Sequence, residues 1–237
     1  MVLGAILPSG VAVAEAFGSP DENPDHLLAP ERAAVATAAP KRRREFAAVR
    51  ACARRALAEL GVPPAAVLPG PSGEPSWPPG IVGSMTHCAG YRACAVARAG
   101  RFAAIGIDAE PHAPLPDGVL AMVTSDSERA ALAELAAAVP GACWDRILFC
   151  AKEAVYKAWF PATGRWLGFS GADVRIDPGG TFQARLLVPG PVAAGHQVAA
   201  YDGRWQVARD LIATAVVVAA SGISSGAGEI PPASAGS

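Results

Sequence analysis

The ten residues 102–111, FAAIGIDAEP, constrain this chain more than any other stretch. The apolar run from Phe102 to Ile107 reads as a buried strand over 102–110, and two carboxylates two positions apart close it. Side chains at i and i+2 of a strand point to the same face, so Asp108 and Glu110 converge on one spot. Two anionic groups held that close repel each other unless positive charge stands between them. A Lys or Arg, a metal ion, or water at a frayed strand end would each serve, and this stretch alone leaves the three open.

The segments around it alternate between strand and helix patterns. Strands are expected near 2–7 and 11–17, a short helix over 30–38, and a longer helix from Lys41 to Leu60 with Gly61 ending it. Residues 62–80 hold Pro, Gly and Ser in turn spacing and read as loop with a short extended piece around Val67. Strands follow at 81–86 and 91–98, and PHAPLPDG (111–118) reads as a semi-rigid connector. Ser125 or Ser127 caps a helix, a long helix follows Pro140, and strands are expected near 172–177, 181–188, 197–201, 204–209 and 211–220. The pattern predicts an α+β fold of two similar halves, residues 1–110 and 111–221. The tail 222–237 is low in complexity and is expected to be disordered.

Composition sets the function classes. With 237 residues and 51% hydrophobic content the chain can bury a sizeable core. Its longest aliphatic run, LIATAVVVAA (211–220), is about half a membrane span, so no membrane partner is expected. A net charge of −1 provides no general basic field and disfavours nucleic acid. The five cysteines form no CxxC pair, which suits reduced core thiols in a cytoplasmic protein.

Three further stretches carry chemistry. In FCAKEAVYKAWF (149–160), Glu153 and Lys157 stand four apart on one helix face, with Lys152 and Tyr156 beside them. An ordinary helix ion pair is one reading. The apolar neighbours Ile147, Leu148, Phe149, Val155, Trp159 and Phe160 favour the other, that both charges are partly buried and need partners. In GSMTHCAGY (83–91), His87 is flanked by Thr86 and Cys88; a Cys-His nucleophile pair is disfavoured, because strand neighbours point to opposite faces. KRRREFAAVRACARRAL (41–57) opens a helix with seven basic residues, which is either a solvated face or a grip for a phosphate group. With SGEP (72–75) nearby, a small anionic ligand suits it better than a polymer.

In this order and spacing, GSMTHCAGY, IGIDAEP and FCAKEAVYKAW resemble the three signature blocks of the 4′-phosphopantetheinyl transferases. The basic helix and the P.TGRWLGF stretch after the third block are similar to the surfactin-type, enterobactin-synthetase-associated branch. The resemblance spans about residues 25–220. It implies a monomeric enzyme of two α+β halves that moves the phosphopantetheine arm of coenzyme A to a serine of an acyl or peptidyl carrier protein, as in polyketide and nonribosomal peptide synthesis. Adenosine 3′,5′-bisphosphate is released.

Position by position, the resemblance implies that Asp108, Glu110 and Glu153 hold Mg²⁺. Lys157 matches the lysine beside the pyrophosphate, and His87, with Thr86 next to it, matches the histidine contacting a coenzyme A phosphate. Lys41, Arg42 and Arg44 fall where the family grips the 3′-phosphate, and Ser72, Gly73, Glu74 and Pro75 match the loop near the adenine. Glu153 or Glu110 would take the proton from the attacking serine. Two positions depart from the branch: Val49 where it usually has Gly, and Glu74 where many relatives carry Lys or Arg.

The alternative is a metal-dependent nuclease or phosphohydrolase, since an acidic pair with a distant Glu and Lys serves there too. It predicts an extended basic surface, which the net charge does not favour. A binding module without catalysis is disfavoured by the intact Asp108, Glu110, Glu153 and Lys157.

Overall fold

Two antiparallel sheets and two long helices account for most of the molecule. The computed structural model describes residues 1–19, 23–193 and 196–220. In chain order these form β1 (Ala12–Phe17), α1 (Ala29–Ala34), α2 (Pro40–Glu59), the short pair β2 (Leu68–Pro69) and β3 (Pro75–Ser76), β4 (Ile81–Cys88), β5 (Tyr91–Arg98) and β6 (Phe102–Pro111). Then come α3 (Val119–Val123), α4 (Asp126–Ala138), α5 (Trp144–Thr163), β7 (Ala172–Asp177), β8 (Thr181–Leu186), the short β9 (Val192–Ala193) and β10 (His196–Gln197), β11 (Ala200–Ala208) and β12 (Leu211–Ala219). The larger sheets have the orders β1-β5-β4 and β6-β12-β11-β8-β7. The α+β class expected from the alternating patterns is what the chain adopts.

Side-chain alternation explains the layering. On β5, Cys94 and Val96 point to α2 and pack on Cys52, Ala53, Ala56 and Leu57. Tyr91, Ala93, Ala95 and Ala97 point the other way, into a cluster with Ile105, Ile107 and Ala109 of β6 and Ala213 and Ala215 of β12. The opposite face of the five-stranded sheet packs on α5 through Ala104, Ile212 and Val216. The order of layers is therefore α2, sheet, sheet, α5, and small residues let the two sheets approach closely.

The sheets are joined where β4 runs beside β6. Ser84 Oγ accepts the N–H of Ile107 at 3.1 Å, and Thr86 Oγ1 accepts that of Ala109 at 3.1 Å. β6 ends its own sheet, so these N–H groups would otherwise be buried without partners; two hydroxyls do the work of a neighbouring strand.

Gly106 sets how near α5 comes to β6. A Cβ there would lie 1.9 Å from the Ala154 carbonyl oxygen and 2.6 Å from the Ala158 nitrogen, both backbone atoms of α5. Gly106→Ala must push the helix off the strand and is expected to cost about 2–3 kcal/mol. Urea unfolding would check this, and an unchanged midpoint would mean that α5 has room to move.

Several elements differ from the expected ones. Residues 2–7 form a turn rather than a strand: the Ile6 N–H bonds to the Leu3 carbonyl at 3.1 Å. Val2 and Leu3 are buried, and Glu15 Oε1 accepts their N–H groups at 2.8 and 2.6 Å, so the apolar signal there reports burial and not a ladder. The first helix stops at Ala34 instead of 38; in the loop 62–80, β2 adjoins the extended piece expected around Val67 and pairs with β3. The strands expected at 197–201 and 204–209 are the single strand β11, with Gly203 inside it; a Cβ at Gly203 would meet the Phe182 ring at 2.1 Å. The strand expected over 181–188 ends at Leu186. Ser125, not Ser127, caps α4, in a capping box with Glu128. Buried Glu128 also accepts from Lys152 Nζ at 2.8 Å and from the Val174 N–H at 2.8 Å, tying α4 to α5 and β7. The expectation for 222–237 lies outside the described residues.

Candidate active site

Asp108 stands on the α5 side of β6, its strand partner being Thr214 of β12. Its carboxylate is almost fully buried. Oδ1 accepts from Lys157 Nζ at 2.7 Å and from Thr86 Oγ1 at 3.0 Å. Oδ2 is buried and has no hydrogen-bond partner among the described residues. Thr86 thus uses its hydroxyl twice, accepting from β6 and donating to Asp108.

Lys157 reaches across to Asp108. The simple helix pair with Glu153 is not what the structure forms. Burial works to lower the Lys157 pKa, and the Asp108 carboxylate, its hydrogen bond and Glu153 together raise it above the usual lysine value. Glu153, one turn earlier on α5, has its pKa raised by burial and then by Asp108. Glu110 is raised likewise by burial and Asp108, while Arg146 pulls it down through a 3.0 Å bond from Nη1 to Oε2. Three carboxylates therefore face two cations, a deficit of one positive charge in a partly buried place.

Among the described residues no three His, Cys, Asp or Glu side chains stand close enough to enclose a metal ion as they are. The donor chemistry nevertheless fits a hard divalent cation: all-oxygen ligands, mutual repulsion that a cation would relieve, and a buried Asp108 oxygen without a partner.

A cavity of about 250 Å³ opens beside this cluster. One wall comes from α2, with Arg42, Phe46 and Arg50; Ser72, Gly73, Glu74 and Pro75 close another side. Thr86 and His87 of β4 line it next to Glu153, Tyr156 and Lys157 of α5. Asp108 lies behind Thr86 and Lys157. Of the basic residues proposed for a phosphate, Arg42 lines the cavity. Lys41 lies in an adjoining groove beside His87 and Cys88, and Arg44 is exposed and does not line the cavity.

Arg42 Nη1 lies 3.3 Å from His87 Nε2, and both are 3.9 Å from Glu45 Oε2. A guanidinium only donates, so the imidazole nitrogen accepts and His87 is neutral. Burial and then Arg42 lower its pKa, in agreement. Glu74 turns back on its own loop, Oε2 accepting the Ser72 N–H at 2.9 Å. Burial, with Glu110 and Asp108, pushes the Cys88 thiol up to about 12, which leaves no thiolate for a Cys-His nucleophile at neutral pH.

Sequence reasoning missed Arg50 and Arg146. Arg50 is buried, stacks 3.7 Å from the Phe46 ring centre and donates Nε to the Val67 carbonyl at 3.0 Å. Burial lowers its pKa to about 10. The signal was present: Arg42, Phe46 and Arg50 recur every four residues, one face of a helix. Arg146 had no such signal, because its contacts come from tertiary packing.

An α+β scaffold with an acidic cluster at a strand end, a lysine on the facing helix, and a cavity lined by Arg42, Arg50 and Lys157 as well as Glu45, Glu74 and Glu153 sets the class to be matched. The 4′-phosphopantetheinyl transferase N-terminal domain matches residues 30–97, and the 4′-phosphopantetheinyl transferase superfamily matches residues 104–215. The chain is 56% identical to 4′-phosphopantetheinyl transferase Svp of Streptomyces mobaraensis, over 92% of this chain and 90% of that protein. It is 47% identical to 4′-phosphopantetheinyl transferase PptT of Mycobacterium tuberculosis, over 92% of this chain and 96% of that protein. Enterobactin synthase component D of Salmonella typhi is 32% identical over 57% of this chain and 56% of its own length. The chain belongs to the 4′-phosphopantetheinyl transferase superfamily. That assignment replaces the nuclease or phosphohydrolase alternative.

Proposed function

We propose that this enzyme transfers the 4′-phosphopantetheine arm of coenzyme A to a serine hydroxyl of acyl and peptidyl carrier proteins, acting as a cytoplasmic monomer with Mg²⁺. The observation that carries the mechanism is the unpartnered Asp108 Oδ2, buried beside Lys157 at the edge of a cavity that Arg42, Arg50 and His87 line. Among the described residues no helix is long and apolar enough to cross a membrane.

Asp108, Glu110 and Glu153 would hold the metal, which when bound offsets the negative charge of the pyrophosphate. The chain's own groups do the rest. Arg42 and Arg50 present guanidinium groups to the 3′-phosphate, and neutral His87 donates through its other ring nitrogen to a phosphate oxygen. Ser72 to Pro75 bound the nucleotide end. Glu153 takes the proton of the carrier serine; Glu110, with Oε2 on Arg146, has less freedom for that role. The serine oxygen bonds to the phosphorus that carries the pantetheine arm, and the bond from that phosphorus to the leaving phosphate breaks. Lys157 supplies positive charge where the leaving group gains negative charge.

The test is incubation with coenzyme A, Mg²⁺ and a panel of apo carrier proteins, each read by intact mass. A gain of the phosphopantetheine mass on one serine is expected; its absence across acyl and peptidyl carriers would sink the proposal. The 3′-phosphate contact is checked separately. Arg42→Glu should raise the KM for coenzyme A by about 10- to 100-fold, the scale of a hydrogen bond to a charged group, and that for 3′-dephospho-coenzyme A far less. Exposed Arg44, reversed in the same way, should change either little. Equal effects on both cofactors would remove Arg42 from the 3′-phosphate.

A further inference from the structure

Arg146 lies in the first turn of α5 and commits its guanidinium to one short segment. Nε donates to the Ala113 carbonyl at 3.1 Å and Nη2 to the Pro114 carbonyl at 2.8 Å, while Nη1 bonds Glu110 Oε2 at 3.0 Å. Two backbone carbonyls thus fix the plane of the fork that meets the carboxylate, and the Arg146 side chain is only 15% exposed. Neighbouring groups fasten the same stretch: Asp145 Oδ2 accepts the Leu115 N–H at 2.8 Å, and His112 Nε2 accepts the Cys143 N–H at 3.2 Å. The proline-rich connector is therefore stapled to the helix that carries Glu153 and Lys157 in its later turns.

Each β6 carboxylate has one oxygen committed to a cation of α5: Asp108 Oδ1 to Lys157 and Glu110 Oε2 to Arg146. This leaves Asp108 Oδ2 and Glu110 Oε1 for other work. We propose that Arg146 is a positioning residue that keeps Glu110 Oε2 occupied, so that Glu110 meets a divalent cation with Oε1 alone. The inference rests on the reading of Asp108, Glu110 and Glu153 as metal-holding groups. A carboxylate whose second oxygen is held by a fixed donor loses less freedom on binding a metal, and removal of such a donor typically weakens metal binding by about 10- to 100-fold. The opposite possibility is that Arg146 merely competes for Glu110, in which case its removal would tighten metal binding.

Mn²⁺ binding separates the two without any turnover. The full chain is saturated with coenzyme A, no carrier protein is present, and free Mn²⁺ is followed by its electron paramagnetic resonance signal. Arg146→Met is expected to weaken Mn²⁺ binding by about 10- to 100-fold. Arg146→Lys keeps a charge but cannot hold both carbonyls and Glu110 at once, and it should weaken binding too; it decides the matter if the Met variant fails to fold. Asp145→Asn loosens the same segment while leaving Glu110 its partner, and should stay within about twofold of the wild type. Unchanged or tighter binding in a folded Met or Lys variant overturns the inference, as does an equal loss in Asp145→Asn, which would make the segment the cause. A wild-type chain that takes up no Mn²⁺ overturns the metal reading of the site, and this inference with it.

Discussion

Asp108→Ala and Glu153→Ala are each expected to lower carrier-protein modification by at least about a hundredfold, the scale of losing a group that stabilises transition-state charge. Asp108 links the three parts of the site: it accepts from Thr86 of β4 and from Lys157 of α5, and it keeps one buried oxygen open. Because Asp108→Ala also strips Lys157 of its partner, part of that loss could come from the fold. Glu153→Ala leaves the Asp108–Lys157 contact in place, and Asp108→Asn keeps the shape, so a loss in these two variants with unchanged unfolding midpoints assigns the effect to chemistry. EDTA should abolish the wild-type rate and added Mg²⁺ restore it. Near-normal turnover in EDTA would leave the carboxylates without the role proposed for them.

Lys157→Arg is expected to fold normally and lose most of kcat, whereas Lys157→Met should lose both rate and stability. The stability term follows from the observed partner. Lys157 is the counter-ion of Asp108, whose side chain is only 7% exposed, so Met leaves a buried carboxylate with Thr86 as its remaining donor. Breaking a buried pair costs about 3–5 kcal/mol, and the 28% exposure of the Lys157 side chain puts this case at the lower end. The rate term follows from charge building on the leaving phosphate, which a compact ammonium can approach while still touching Asp108 and a planar fork cannot. Measured kcat, KM for coenzyme A and urea unfolding separate the two. A stable Arg variant with unchanged kcat would reduce Lys157 to a structural counter-ion.

Much of the site could be read from periodicity, since a repeat of two or of about four residues dictates which side chains share a face wherever the element packs. Asp108 and Glu110 share the α5-facing side of β6 as their spacing requires, and Arg42 and Arg50 flank Phe46 on one face of α2. The turn at Gly61, with φ +67, and the Ser125 cap also follow from local rules. Choice of partner is another matter. Lys157 could bond Glu153 four residues away or Asp108 forty-nine residues away, and it takes Asp108 because Gly106 lets α5 settle onto β6. Arg146 meets Glu110 because the connector folds back on α5, and Thr86 serves Asp108 because β4 runs beside the edge of β6. Val2 and Leu3 look like a strand but are buried in a turn, since hydrophobicity reports removal from water and not backbone pairing. Sequence by itself determined which groups lie on which faces; only tertiary packing decided which faces meet, because those contacts join residues far apart in the chain and their energy depends on how closely the backbones approach.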